Sequence, residues 1–415
     1  MNTLKNILVL LGLSLVSGGA MAAGTDTQAS ADALVKKGAY LAKAADCVAC
    51  HTTKKGKPFA GGVEFELPFG SLFSPNITPD VDTGIGAWTD DEFVSALQEG
   101  VGRDGKHYYP AFPYTSYSLM PRDEILAIKA YLFSLPAVKQ APIENTLSFP
   151  FNQRWGMFFW NALFLDNQRY EPDSKQSAEW NRGAYLVQGP GHCGECHTPR
   201  TIFQSLDKDQ ALAGAPIQGW QAYNISADPL YGIGAWSVED LTHYMAKGYA
   251  SGHGFAGGPM ASVVEHSLSQ LTPQDQKAIA VYLKSTPAHS SGIARATTDD
   301  LSARAVVVDD LGSKIFAEAC AACHRWDGEG NQSPTAKLAG LKTVNDPAAA
   351  NLLGVLLNGH SNMGSPVDQR MPNFAKGYND QELAAVSSFV LKHFGQSGGV
   401  VTPEAVAERR KVKSH

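Results

Sequence analysis

All six cysteines of this 415-residue chain fall into one pattern: "CVACH" at 47–51, "CGECH" at 193–197 and "CAACH" at 320–324. No cysteine is left over for a disulfide framework, so every thiol belongs to one of three short segments. In an oxidising compartment a bare Cys-x-x-Cys closes to a disulfide or works as a redox dithiol. Neither use explains the histidine after each second cysteine. Zinc wants four ligands gathered at one site, whereas these triplets are far apart in the chain. A thioredoxin-type motif follows a strand in a βαβ unit, a pattern this sequence lacks. Covalent haem attachment uses all three residues: two thiols add across the porphyrin vinyl groups, and the adjacent imidazole lies under the iron. Cys47, Cys50, Cys193, Cys196, Cys320 and Cys323 are therefore expected to tether three haems c, with His51, His197 and His324 as proximal iron ligands.

The three sites lie in internal repeats. "KKGAYLAKAADCVACHT" (36–52) echoes "NRGAYLVQGPGHCGECHT" (181–198), and "DLGSKIFAEACAACH" (310–324) is a looser copy, with Tyr40, Tyr185 and Phe316 in comparable places. Downstream, "NITPDVDTGIGAWTDDEF" (76–93) matches "NISADPLYGIGAWSVEDL" (224–241). Each repeat closes on a helical pattern. Ile125, Ile128, Leu132 and Leu135 share one face of the first, and Thr272 to Asp275 and Asn379 to Glu382 have the spacing of helix caps in the others. The expected fold class is all-α: three consecutive helical domains, each wrapped round one haem, near 31–140, 176–290 and 305–397.

Residues 1–22, with Lys5, an apolar run from Ile7 to Val16 and a small-residue end at Ala20-Met21-Ala22, have the form of a secretory signal peptide. Removing it takes the formal charge from −6 to −7, because Lys5 is its only charged residue. No later apolar run is long enough to span a bilayer, so a soluble periplasmic protein, or one held at the inner membrane through a complex, is expected. The acidic balance and the lack of a basic stripe argue against nucleic acid. The linker 141–175 is rich in aromatics, and Trp155, Phe158, Phe159, Trp160 and Phe164 are expected to pack between domains or against a partner, with membrane contact as the alternative. The end, 398–415, with Arg409, Arg410, Lys411 and Lys413, reads as a solvated polar tail.

A Met thioether on the sixth coordination position makes an electron-transfer haem of raised potential, whereas an open position invites ligand chemistry. In the second repeat Met245 falls in a helical pattern and Met260 in the loop "GFAGGPMASVV", so Met260 is the candidate. In the third, Met371 in the Pro-flanked loop "DQRMPNF" is preferred to Met363. The first repeat has Phe112 at the corresponding place, which leaves Met120, immediately before the closing helix. Met120 aligns with Leu271 and Tyr378, where an apolar side chain ordinarily packs as a staple, so a core role competes with ligation. His107 and a five-coordinate site are the other options. His192, His253, His266 and His360 read as surface or supporting residues.

"RGAYLVQGPGHCGECHTPR", "RDGKHYYPAFPYTSY", the two copies of "GIGAW" and the Pro-flanked Met371 together resemble the three-haem cytochrome c subunits of bacterial periplasmic dehydrogenase complexes, those oxidising alcohols, aldehydes, sugars or sugar acids. The likeness runs through nearly the whole chain after the leader. It implies three cytochrome c-like domains and a large catalytic partner carrying a flavin, pyrroloquinoline quinone or a molybdenum centre, with room for a small third subunit. Electrons would pass to ubiquinone or another respiratory acceptor. Some relatives with Phe at the position of Phe112 carry a Met near the start of the next helix, which favours Met120. The catalytic site would then belong to the partner, and this chain would carry electrons. The competing expectation is a self-contained haem enzyme, of peroxidase or thiosulfate-oxidising type, with the first haem open. A free-standing shuttle is a third.

Overall fold

The computed structural model describes residues 20–295, 310–331, 333, 335–360, 370–396 and 398–412. Most of the proposed leader and Met363 lie outside these residues. Three times, a leading helix runs up to the Cys-x-x-Cys-His turn and a closing helix packs across it. The pairs are Ala20–Ala44 with Arg122–Phe133, Ala178–Gln188 with Pro273–Leu283, and Leu311–Ala319 with Asp380–Phe394. A glycine sits at each crossing. A Cβ on Gly38, Gly183 or Gly312 would lie 1.8, 1.9 or 2.3 Å from the carbonyl oxygen of Ala127, Ala278 or Ala385, so only a residue without a side chain allows this approach. The closing helices start where the sequence marks them. The Thr272 hydroxyl accepts from the Asp275 amide, and Asn379 and Glu382 form a capping box. Two further helices, Asp90–Gln98 and Val238–Lys247, follow Trp88 and Trp236 and are opened by capping boxes at Thr89 and Ser237.

The described chain is largely helical, but it also contains three two-stranded antiparallel hairpins. These are Glu64–Leu67 with Gly70–Phe73, Ala215–Ile217 with Trp220–Ala222, and Tyr249–Ala250 with Gly254–Phe255. In the second hairpin Gln218 and Gly219 both have positive φ, 49° and 74°, the conformation a two-residue turn requires.

Buried side chains form two clusters. The larger joins the first two repeats, bringing Leu41, Ile125 and Ile128 together with Leu186, Ile279 and Leu283. Across this junction the tyrosines exchange partners: the Tyr40 hydroxyl donates to Asp275 Oδ2 (2.5 Å), and the Tyr185 hydroxyl donates to Glu124. Arg182 donates to both Asp275 oxygens, from Nε to Oδ1 (2.9 Å) and from Nη2 to Oδ2 (2.7 Å). The second cluster belongs to the third repeat and includes Phe316, Leu353, Leu383 and Leu391. The Ala215–Ala222 hairpin bridges to it: the Gln221 amide donates to Asn351 Oδ1 (2.8 Å), and Asn351 Nδ2 donates back to the Gln221 carbonyl (3.0 Å).

One expectation is corrected. Residues 398–412 are not a solvated tail. Pro403–Lys411 is a helix capped by Thr402, with Val406 buried and the Arg409 guanidinium stacked 5.0 Å above Trp220. Arg410 donates to Asp380 and to the carbonyls of Ala375 and Tyr378. Val406, Arg409 and Arg410 share one helical face, and the arginine stems supply buried surface that a count of apolar residues misses. The aromatic linker lies partly between the first two repeats: Trp160 meets the Tyr114 ring, and Asn161 accepts from the Tyr114 hydroxyl and donates to the Glu99 carbonyl. Its helix, Gly156–Phe164, leaves Trp155, Phe158 and Phe159 more than half exposed. Trp160 and Phe164 pack towards Phe203.

Candidate haem sites

Each Cys-x-x-Cys-His segment forms a single helical turn: Cys47–His51, Gly194–His197 after Cys193, and Ala321–His324 after Cys320. The His197 amide donates to the Cys193 carbonyl (3.0 Å) and the His324 amide to that of Cys320 (2.9 Å). In such a turn residues i, i+3 and i+4 share a face, so two sulfurs and an imidazole are presented together. None of the six cysteines is paired in a disulfide. Burial pushes the Cys47, Cys50 and Cys193 thiols up to about 12, and Cys196 and Cys320 up to about 11, which suppresses reactive thiolate.

The three imidazoles are held alike. His51 Nδ1 lies 2.8 Å from the Pro75 carbonyl oxygen, His197 Nδ1 2.7 Å from that of Tyr223, and His324 Nδ1 2.6 Å from that of Ala336. A carbonyl only accepts, so each Nδ1 carries the proton and each Nε2 keeps its lone pair. Burial lowers the pKa of all three rings, against the raising effect of the carbonyl bond, and keeps them neutral. A neutral imidazole with a free Nε2 and a hydrogen-bonded Nδ1–H is the form in which histidine binds a metal. The first two carbonyls are positioned by the repeated Asn-Ile motif. Asn76 Nδ2 donates to the Val138 carbonyl and Asn224 Nδ2 to that of His289, while their Oδ1 atoms accept from the amides of Thr78 and Ser226. Sequence reasoning found this motif as a repeat and missed what it supports.

A large cavity is lined by both the second and third sites: Cys193, Cys196 and His197 with Met260, and Cys320, Cys323 and His324 with Met371. Its walls are mostly apolar, with Ile279, Leu283, Leu352 and Val390 among them, as a porphyrin face requires. Two sulfurs, an oriented Nε2, a nearby thioether and an apolar enclosure fit haem c. Met260 is not in a loop: it lies in the first turn of the helix Pro259–His266, where Pro259 starts the helix earlier than the surrounding glycines suggest. Met371 pairs with His360 in an isolated bridge, amide to carbonyl in both directions, and the His360 ring stacks on Phe255 at 3.7 Å. Met120 is fully buried in the joint core, as its alignment with Leu271 predicts for a staple, and its carbonyl accepts from Gln98. Phe112 packs against the same core beside Tyr108 and Tyr117. His107 is engaged by Asn161 and by the edge of Phe158. Among the described residues, no three His, Cys, Asp or Glu side chains converge as a metal cluster.

Sequence comparison matches residues 35–136 and 310–393, the first and third repeats, to the cytochrome c family profile. The chain is 39% identical to the gluconate 2-dehydrogenase cytochrome c subunit of Pantoea cypripedii, covering 98% of this chain and 95% of that one. It belongs to the cytochrome c family. It is also 36% identical to the cytochrome c subunit of an alcohol dehydrogenase (quinone) from Gluconacetobacter polyoxogenes, over 99% of this chain and 90% of that one. The fructose dehydrogenase cytochrome subunit of Gluconobacter japonicus is 35% identical over 91% of this chain and 82% of its own length. The second repeat of this cytochrome, although outside the profile match, has the same glycine crossing and the same histidine–carbonyl bond as the other two.

Proposed function

We propose that this cytochrome is an exported three-haem electron carrier, the redox subunit of a periplasmic dehydrogenase held at the inner membrane through its complex. The observation that carries this reading is the threefold recurrence of a paired-thiol turn with a neutral histidine whose Nδ1 is engaged and whose Nε2 is free. When bound, haem supplies one-electron chemistry, and the chain supplies attachment, ligation and burial. Cys47 and Cys50, Cys193 and Cys196, and Cys320 and Cys323 would hold the three groups, with His51, His197 and His324 as proximal ligands. Met260 and Met371 would be distal ligands, supported by their place on the shared cavity wall. Met120 is the proposed distal ligand of the first site.

The relatives named above are dehydrogenase subunits, which supports a large catalytic subunit as electron donor. Ubiquinone or another respiratory acceptor would take the electrons, and the substrate would be the partner's. Three tryptic peptides, each carrying one haem, together with a co-purifying dehydrogenase that reduces all three, are the expected result. Apoprotein from the secreted fraction would refute it. A second reading keeps the first site open to ligands, and the core packing of Met120 favours it. Carbon monoxide binding at one haem of the reduced, isolated protein would decide for it.

A further inference from the structure

Lys342 belongs to the third repeat, yet its half-buried ammonium reaches into a loop of the second. Nζ donates to the carbonyl oxygens of Tyr231, Gly232 (3.1 Å) and Asn224 (3.5 Å), and sits 5.9 Å from the centre of the Tyr223 ring. Three acceptors around one nitrogen match the three N–H bonds of the charged form, whereas a neutral amine has only two. Burying a cation away from carboxylates is costly, and among the described residues no carboxylate bonds this one directly. Burial, with Arg295 adding to it and Asp228 opposing, pushes Lys342 down to about 7, so it is the three carbonyl acceptors that favour the charged form.

The loop it grips is the one that orients an axial histidine. The Tyr223 carbonyl accepts from His197 Nδ1, and the next carbonyl along the chain, that of Asn224, accepts from Lys342. Held one peptide group beyond the carbonyl that His197 binds, the lysine charge disfavours, by Coulomb's law, a further positive charge on the ring. A cation beside the proximal imidazole likewise disfavours the more positive, oxidised state of the iron that the ring would hold. Its pull on the adjacent peptide also weakens the carbonyl as an acceptor. Both effects raise the reduction potential of that site.

We propose that Lys342 is a positioning residue by which the third repeat, once docked, raises the potential of the haem held at Cys193, Cys196 and His197. This rests on the three-haem reading above. It makes the middle site a property of two repeats together, which a second repeat expressed alone would not reproduce.

The test is a spectroelectrochemical titration of the full-length, haem-loaded protein and its Lys342→Met variant. The second haem is identified as the one whose midpoint Met260→Ala displaces. The expected result is a fall of that midpoint alone, with the other two unchanged. Asn351→Ala removes the neutral hydrogen bonds at the same junction and should leave all three potentials in place. Unchanged midpoints in a folded Lys342→Met protein with three haems would overturn the proposal. An equal fall in Asn351→Ala would overturn it too, because the effect would then belong to docking in general. Wild-type peptides with no haem at Cys193 and Cys196 would instead refute the underlying three-haem reading, and this proposal with it.

Discussion

Gly312→Ala tests whether the glycine crossings hold the Cys-x-x-Cys-His turns in place. The third repeat is the cleanest site because its core is separate from the joint core of the other two. A Cβ at Gly312 would lie 2.3 Å from the Ala385 carbonyl oxygen, 2.8 Å from its carbon and 2.9 Å from Phe389 Cβ. Ordinary contact needs about 3.4 Å, so the helices Leu311–Ala319 and Asp380–Phe394 must part by roughly 1 Å in a close-packed interior. The closing helix contributes Leu383, Val386, Phe389, Val390, Leu391 and Phe394 to the core, so the shift is shared by many contacts. Overpacking of this kind costs about 1–3 kcal/mol, against a gain of about 0.5–1 kcal/mol from replacing a helical glycine with alanine. The expected net loss is about 1 kcal/mol in the unfolding transition of the third repeat, followed by urea denaturation monitored through Trp326 fluorescence. Gly377→Ala is the control, because its Cβ would meet nothing closer than 4.0 Å, and it should change stability by less than about 0.5 kcal/mol. Equal stability of Gly312→Ala and wild type would refute the claim that the crossing depends on glycine.

Burial raises the Asp46 pKa to about 8, and Oδ1 has no hydrogen-bond partner. A carboxyl with a folded pKa above its unfolded value favours folding while protonated, and that contribution is lost as pH rises from about 4 through about 8. Asp46→Asn should therefore be more stable than wild type at neutral pH, by on the order of 4 kcal/mol, with the difference vanishing near pH 4 in thermal melts. A pH-independent difference would sink the argument. Tyr40→Phe removes the hydroxyl that reaches Asp275 and should cost about 1–2 kcal/mol while sparing the third repeat, as read from amide exchange. Met120→Ala should cost about 2–5 kcal/mol and abolish the low-spin signature of one haem. Lost stability with an unchanged optical spectrum would make Met120 a core residue only.

The thiols, the histidines, the repeats and the helix caps were legible because each is set by spacing within a few residues. The groups that orient the histidines were not. His51 and His197 find their carbonyls 24 and 26 residues away, and any residue type can supply a carbonyl, so side-chain patterns carry no direct signal. Lys342 is further still from the loop it holds, with Asn224 118 positions away, and reads locally as an ordinary surface lysine. The terminal helix was missed because its buried surface comes from arginine stems stacked on Trp220 and bonded to Asp380, partners that only the fold brings near.

One aligned position shows how a small sequence difference decides the architecture. Tyr40, Tyr185 and Phe316 occupy the same place in the three leading helices. The first two carry hydroxyls that need partners, and each finds a carboxylate on the closing helix of the other repeat, Asp275 or Glu124. That exchange ties the two repeats together, and their apolar residues merge into one core. Phe316 has no hydroxyl to satisfy. It is fully buried, with the rings of Trp326, Phe389 and Phe394 each 5.3 Å away, and the third repeat closes on itself. The third repeat therefore meets the second through surface groups, the Gln221–Asn351 bonds and Lys342 among them. With the His360 ring stacked on Phe255 and the Arg409 guanidinium on Trp220, the third repeat is docked on the second through discrete contacts, without sharing its core.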